Sequence, residues 1–129
     1  MNNKSTILSG FNKHFFEFAN EISNYFSTNM DIKTAINVLS GIKKVNPKMI
    51  IRIWKECVVD PYSNEIEKGD FDFFISKDYA SDVNFEQNDR VLQGIESLRK
   101  PIASMPKDDQ DKCMKYVKNL SVLSNHYFS

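Results

Sequence analysis

Acidic residues cluster in the middle of the chain, where carboxylates could bind a divalent cation or act as an acid and a base. Asp70 and Asp72 flank Phe71, and Asp78 and Asp82 follow. Oxygen ligands of this kind suit Mg²⁺ or Ca²⁺. However, the run lacks the glycine and glutamate that an EF-hand loop requires at fixed positions. We therefore interpret these aspartates as helix caps and solvated charge around phenylalanine anchors.

The nucleophilic and metal-binding side chains lie far apart in the sequence. His14, Cys57, Cys113 and His126 are the only histidines and cysteines, and none is near another. A zinc site needs ligands in clustered pairs, and an activated nucleophile needs a base within hydrogen-bond reach. The glycine-rich signatures of phosphate-binding loops are absent as well. We therefore expect no catalytic residue, metal or other cofactor, and two reduced cysteines in the core.

Basic residues surround the junction between two predicted helices, which makes nucleic acid an alternative partner. They are Lys43, Lys44, Lys48, Arg52 and Lys55. Two helices joined by a short turn invite comparison with a helix-turn-helix. The helix that would enter the DNA groove, however, has Lys48 as its only polar residue before Arg52. It therefore has few side chains suited to contacts with base edges. The chain also has a net charge of zero, which does not favour strong phosphate binding.

Aromatic residues alternate with acidic residues in segment 60–82. A short polar segment cannot leave so many aromatic side chains exposed. The candidate partner-binding residues are Tyr62, Asp70, Asp72, Phe73, Phe74 and Tyr79. Their rings must bury either in the core of this chain or against another chain. The sequence leaves both options open. It favours docking of a protein partner or self-association through this segment.

The elements that position these residues are predicted to be helices. Only four glycines and four prolines occur, too few for a β-sandwich or barrel. Apolar residues recur at helical spacing from about Ser5 to Phe26. Asp31 is the predicted N-cap of a second helix that ends near Val45. A third helix is predicted from Pro47 to about Val59, since proline suits a first helical position.

The second half of the chain returns to the helical period after an interruption. A short helical turn is predicted over Tyr62–Lys68, closed by Gly69 in the left-handed conformation. From about Phe85 to Met105 the apolar spacing is helical again, and Pro101 predicts a break near Lys100. A last helix follows, with Cys113, Tyr116 or Val117, Leu120, Leu123 and Tyr127 facing inward. We thus expect a single all-α domain over residues 1–129, a compact bundle of about five or six helices with a short irregular aromatic-acidic segment in the middle.

The chain shows no run of about 20 apolar residues and no secretory signal, so we expect an intracellular protein that does not span a membrane.

Five segments along the chain share one resemblance. They are FNKHFFEF, MDIKTAINVL, KKVNPKMIIRIW, PYSNEIEKGDFDFFISKDYASD and MKYVKNLSVLSNHY. The most specific parts are Asn46-Pro47 before Trp54, and Gly69-Asp70 followed by Phe73-Phe74 and Lys77-Asp78-Tyr79. Together they resemble a family of small proteins from nucleocytoplasmic large DNA viruses of algae and other protists. The resemblance implies a viral origin, in the host cytoplasm or the virus particle. It supplies no catalytic residues, and the expected function is that of a non-enzymatic interaction or structural module.

Overall fold

The computed structural model describes residues 3–70, 72–76 and 89–129. Within these ranges the chain is all-α, as the sequence predicts, with seven α-helices and no strand. The helices are α1 (Lys4–Tyr25), α2 (Met30–Val45), α3 (Met49–Trp54), α4 (Ser63–Glu67), α5 (Asp72–Ser76), α6 (Asp89–Arg99) and α7 (Lys107–Tyr127). The two shortest helices have five residues each: α4 is the helical turn predicted over residues 62–68, and α5 lies in the part of the middle segment expected to be irregular. No helix of the described ranges is long and apolar enough to cross a membrane.

Helix α1 carries the predicted aromatic stripe and packs it into the core. Phe11, Phe15, Phe18 and Ile22 are all essentially unexposed. The helix runs antiparallel to α7, because the Lys4 amino group near its start lies over a ring close to the end of α7. The two longest helices therefore share a seam along one side of the bundle.

Helix α2 begins two residues earlier than the sequence indicates. The cap is Asn29, whose side-chain oxygen accepts a hydrogen bond from the backbone N–H of Ile32 at 3.2 Å. Asp31 was the predicted cap, and it lies instead in the first turn, where its negative charge suits the helix dipole. The end of α2 at Val45 is as predicted.

Helix α3 differs from its prediction in both its start and its phase. It begins at Met49 rather than Pro47, after a turn in which the Asn46 side chain accepts from the backbone N–H of Lys48. After Trp54 the chain continues as a π turn over Lys55–Val59. The wider turn rotates the later residues. As a result Val58 and Val59 are buried, while Cys57, a predicted core position, is half-buried.

Helices α2 and α6 approach each other closely at a glycine. A Cβ placed on Gly94 would lie 2.8 Å from the side chain of Leu39, which is fully buried. Helix α6 ends at Arg99 and continues as a 3₁₀ turn over Lys100–Ser104, which confirms the break predicted from Pro101. The inward face of α7 is led by Cys113, Val117 and Leu120, which are buried.

Among the described residues, the middle segment is attached to the core by the buried ring of Phe74 and by hydrogen bonds from the buried Arg99. Gly69 adopts a φ of 75° after α4, the left-handed conformation that the sequence predicts. Phe74 of α5 is 1% exposed and contacts Trp54, with ring centroids 5.7 Å apart. Arg99 donates to the carbonyl oxygens of Phe74 and Ile75 at 2.9 and 3.1 Å. The same guanidinium forms a buried ion pair with Glu96, which fixes it in place.

Candidate functional site

The predicted partner-binding segment divides between core and surface. Phe74 belongs to the core, so its ring is not available to a partner. Phe73 is half-buried and stacks on Tyr62, with ring centroids 4.5 Å apart. Asp70 and Asp72 are exposed, and the Asp70 carboxylate accepts from the backbone N–H of Asp72 at 3.1 Å. The Asp70 side chain therefore forms a turn just before α5, whereas Tyr79 lies outside the described residues.

The acidic residues at this end of the fold face a lysine. A cleft of about 310 Å³ is lined by Asp70, Asp72, Lys107 and Asp111, among others. The Lys107 amino group donates to the Asp111 carboxylate at 2.7 Å, and this hydrogen bond leads the interactions that raise the pKa of Lys107. Across the described ranges, no group of three histidine, cysteine or acidic side chains is arranged to hold a metal ion. Asp78 and Asp82 of the predicted cluster lie outside those ranges.

The basic residues proposed for nucleic acid are partly engaged within the chain. Lys43 lies over the ring of Phe16, with its nitrogen 5.1 Å from the centroid. Lys55 pairs with Asp60, and Arg52 donates to the sulfur of Met49.

Two members of the same basic set, Lys44 and Lys48, are exposed. Four of the six residues of α3 are buried, namely Ile50, Ile51, Ile53 and Trp54. Helix α3 is therefore buried over most of its surface, which does not favour it as the reading helix of a helix-turn-helix, and nucleic-acid binding through the basic residues stays a prediction.

A groove runs along the seam between α1 and α7, and its volume is about 440 Å³. It is lined by His14, Glu21, Tyr25, Met105, Asp109, Lys112, Cys113, Lys115, Tyr116 and Asn119. The lining from His14 to Tyr25 covers three turns of α1, which corresponds to a length of about 17 Å. Tyr25 stands at one end of the groove with 46% of its surface exposed.

The floor of the groove is aromatic and contains sulfur. The ring of Tyr116 lies 4.7 Å from that of His14 and 5.5 Å from that of Phe18, measured between centroids. The Cys113 thiol contacts the sulfur of Met105 at 3.7 Å. The Nε2 atom of His14 is buried and has no hydrogen-bond partner among the described residues.

Two ionisable groups of the floor, the Cys113 thiol and the Tyr116 hydroxyl, are held in their neutral forms. Burial raises the pKa of Cys113 to about 11, and the nearby charges of Asp109 and Glu21 act in the same direction. Burial also raises the pKa of Tyr116, with further contributions from Glu21, Glu17 and Cys113. A thiol of this kind is protonated at neutral pH and is a poor nucleophile. The groove therefore presents a binding surface rather than an activated cysteine.

The two walls of the groove carry opposite charges. On α1 the exposed carboxylates of Glu17 and Glu21 stand beside Tyr116, close enough to raise its pKa. On α7 the exposed residues Lys112 and Lys115 line the other side together with the half-buried Asp109, so that this wall has an excess of one positive charge. Among the described residues none of the four exposed side chains has an ion-pair partner within 4.0 Å. The groove thus has an acidic wall and a basic wall, both open to solvent.

Reasoning from sequence missed this groove, because its two walls are about 90 positions apart in the chain. The apolar stripe of α1 and the inward face of α7 were both predicted. The sequence did not indicate that these two helices would lie side by side. One signal was present: Tyr25 and Tyr116 fall at the margin of the two apolar stripes, where a side chain is half in the core and half in solvent.

Comparison of the chain with protein-family models, with curated proteins and with solved structures finds no match in any of the three. The resemblance to a large-DNA-virus family therefore stays a prediction.

Proposed function

We propose that this chain is a non-enzymatic protein-interaction module that binds a helical surface of its partner in the groove between α1 and α7. The observation that carries the proposal is the combination of an aromatic floor with one acidic and one basic wall. A fitting partner presents an apolar helical surface flanked by a basic edge and an acidic edge. Grooves of this form commonly accept an amphipathic helix.

The dimensions of the groove support a helical partner. Its length of about 17 Å accommodates about three turns of a docked helix, with anchor residues on one face. The aromatic side chains available there are of the type that dominates the binding energy of protein interfaces. Tyr25 and Tyr116 fill this role, because each presents a rigid ring with a polar edge.

The proposed surface differs from the one that the sequence favours. Segment 60–82 was favoured for docking a partner, with the choice between core and interface left open for its rings; Phe74 contributes to the core and Phe73 stacks on Tyr62. The burial of Phe74 removes one of the expected anchors for a partner. The groove, in contrast, has charged side chains that the described part of the chain leaves unpaired.

The proposal is tested with a library of amphipathic helical peptides selected on the purified protein. Binding of the enriched peptides is then measured by fluorescence anisotropy. We expect Tyr25→Ser to weaken binding about tenfold, or about 1.4 kcal/mol, as truncation of an aromatic anchor does.

Val45→Ser is the matched control, because Val45 is an exposed apolar residue at the end of α2, outside the groove. This control is expected to bind the peptides like the wild type. Failure to enrich any peptide, or equal binding by the Tyr25 and Val45 variants, would reject the groove as the binding surface.

A further inference from the structure

We propose that the partner of the groove is a second copy of this chain, paired so that the acidic wall of each copy faces the basic wall of the other. This inference rests on the proposed function, since it names the occupant of the same groove. It follows from the order of the charges along the seam, which is complementary to itself.

The charges of the two walls lie at the same level along the seam. The Phe18 ring of α1, next to Glu17 in the sequence, lies 5.5 Å from the Tyr116 ring between centroids, and Glu21 lines the groove beside Cys113 and Tyr116 of α7. Lys112 and Lys115 are the residues immediately before those two. The acidic pair and the basic pair therefore face each other across one stretch of the groove, about one helical turn long.

Two-fold symmetry then distinguishes between the possible pairings of two such faces. Rotation about an axis parallel to the seam keeps each residue at its level and places α1 of one copy over α7 of the other. Glu17 and Glu21 of each copy then meet Lys112 and Lys115 of its partner, twice over. Rotation about an axis across the seam places α1 over α1, so that carboxylates face carboxylates. Charge complementarity selects the first arrangement.

The size of the face sets the strength of the dimer. A length of about 17 Å and a width of two helices, about 20 Å, give a projected area of about 340 Å² for each copy. Both copies together would bury about 700 Å², which is below the range of stable interfaces. We therefore expect a weak dimer, with a dissociation constant in the micromolar to millimolar range.

The test is sedimentation equilibrium of the purified full chain from about 20 µM to about 1 mM, the range where a weak interface associates. The expected result is a mass that rises from 15.0 kDa toward twice that value. The double substitutions Glu17→Lys with Glu21→Lys, and Lys112→Glu with Lys115→Glu, should each weaken association at least about tenfold by opposing like charges. All four side chains are exposed, and circular dichroism verifies that each variant is folded.

Combining all four substitutions exchanges the charges of the two walls, and this variant gives the decisive test. In the proposed arrangement the exchanged walls are again complementary, so the affinity should return to within about threefold of the wild-type value. Added sodium chloride, from about 50 mM to about 500 mM, should weaken the wild-type dimer.

Two outcomes overturn the inference. If the protein stays monomeric at about 1 mM, the second copy is not the occupant of the groove. The peptide-binding experiment then decides whether the groove binds another partner, as the proposed function states. A dimer that is unaffected by either double substitution associates through a different surface. If the peptide selection fails as well, the groove itself is rejected, so failures of the inference and of the proposed function are distinguished.

Discussion

Alanine in place of Gly94 or of Gly41 provides a matched test of how closely the helices pack. Both glycines lie inside helices, and each substitution improves helix propensity by up to about 1 kcal/mol. At Gly41 no heavy atom of the described chain lies within 4 Å of an added Cβ outside the immediate helix. At Gly94 three atoms of the Leu39 side chain lie at 2.8–2.9 Å.

The magnitudes follow from these surroundings. Gly41→Ala should stabilise the fold by about 0.5–1 kcal/mol. At Gly94 the new methyl group must displace the side chain of Leu39, which is fully buried in a close-packed interior. Such overpacking costs about 1–3 kcal/mol. The propensity gain is common to both variants, so the difference between them, about 1–3 kcal/mol, measures the overpacking alone.

Urea denaturation followed by circular dichroism gives the free energy of unfolding of each variant. The melting temperatures should differ by about 3–6 °C for each kcal/mol in a chain of this size. Leu39→Ala combined with Gly94→Ala completes a double-mutant cycle, in which the penalty of the added methyl group should largely vanish. Equal stabilisation by Gly94→Ala and Gly41→Ala would refute the close approach of α2 and α6.

Three further changes test the interior and its ionisable groups. Arg99→Met leaves the buried Glu96 carboxylate without its partner and should destabilise the protein by about 3–5 kcal/mol in urea; a loss below about 1 kcal/mol would contradict the buried ion pair. Ser121→Ala removes the acceptor of the Trp54 indole N–H, a hydrogen bond of 3.3 Å, and should cost about 1–3 kcal/mol; unchanged stability would contradict this contact. The Cys113 thiol, with its pKa raised from 9.0 to about 11, keeps its proton in the native state while the unfolded thiol ionises, so the free energy of unfolding should fall as the pH rises through that range. Cys113→Ala should show a shallower fall, and identical pH profiles for the two proteins would be evidence against the shift.

Local features of the fold could be predicted because each depends on residues that are neighbours in sequence. The stripe of α1, the left-handed Gly69 and the break at Pro101 follow from spacing and backbone chemistry alone. The start of α2 could not be fixed in this way. Asn29 and Asp31 are about equally good caps, and the choice between them depends on how the helix packs.

Features that depend on contacts between distant segments were not predictable. From the sequence, Arg99 would be assigned to the surface, because arginine is rarely buried without a partner. Two of its partners are carbonyl oxygens of Phe74 and Ile75 in α5, more than 20 positions earlier. The groove is a stronger case, because the side chains of His14 and Tyr116 meet only when α1 and α7 are paired.

The π turn at Lys55–Val59 also bears on how the chain tolerates a change in its length. Deleting one residue from an ordinary helix rotates everything beyond it by about 100° and turns core residues toward solvent. A π turn contains one residue more than the α-helical turn that would replace it. Removal of the exposed Glu56 would therefore leave a regular α-helix, with Trp54 before it and Val58 and Val59 after it still directed at the core. The chain has one residue more at this position than a regular α-helix needs. We therefore expect the protein that lacks Glu56 to fold.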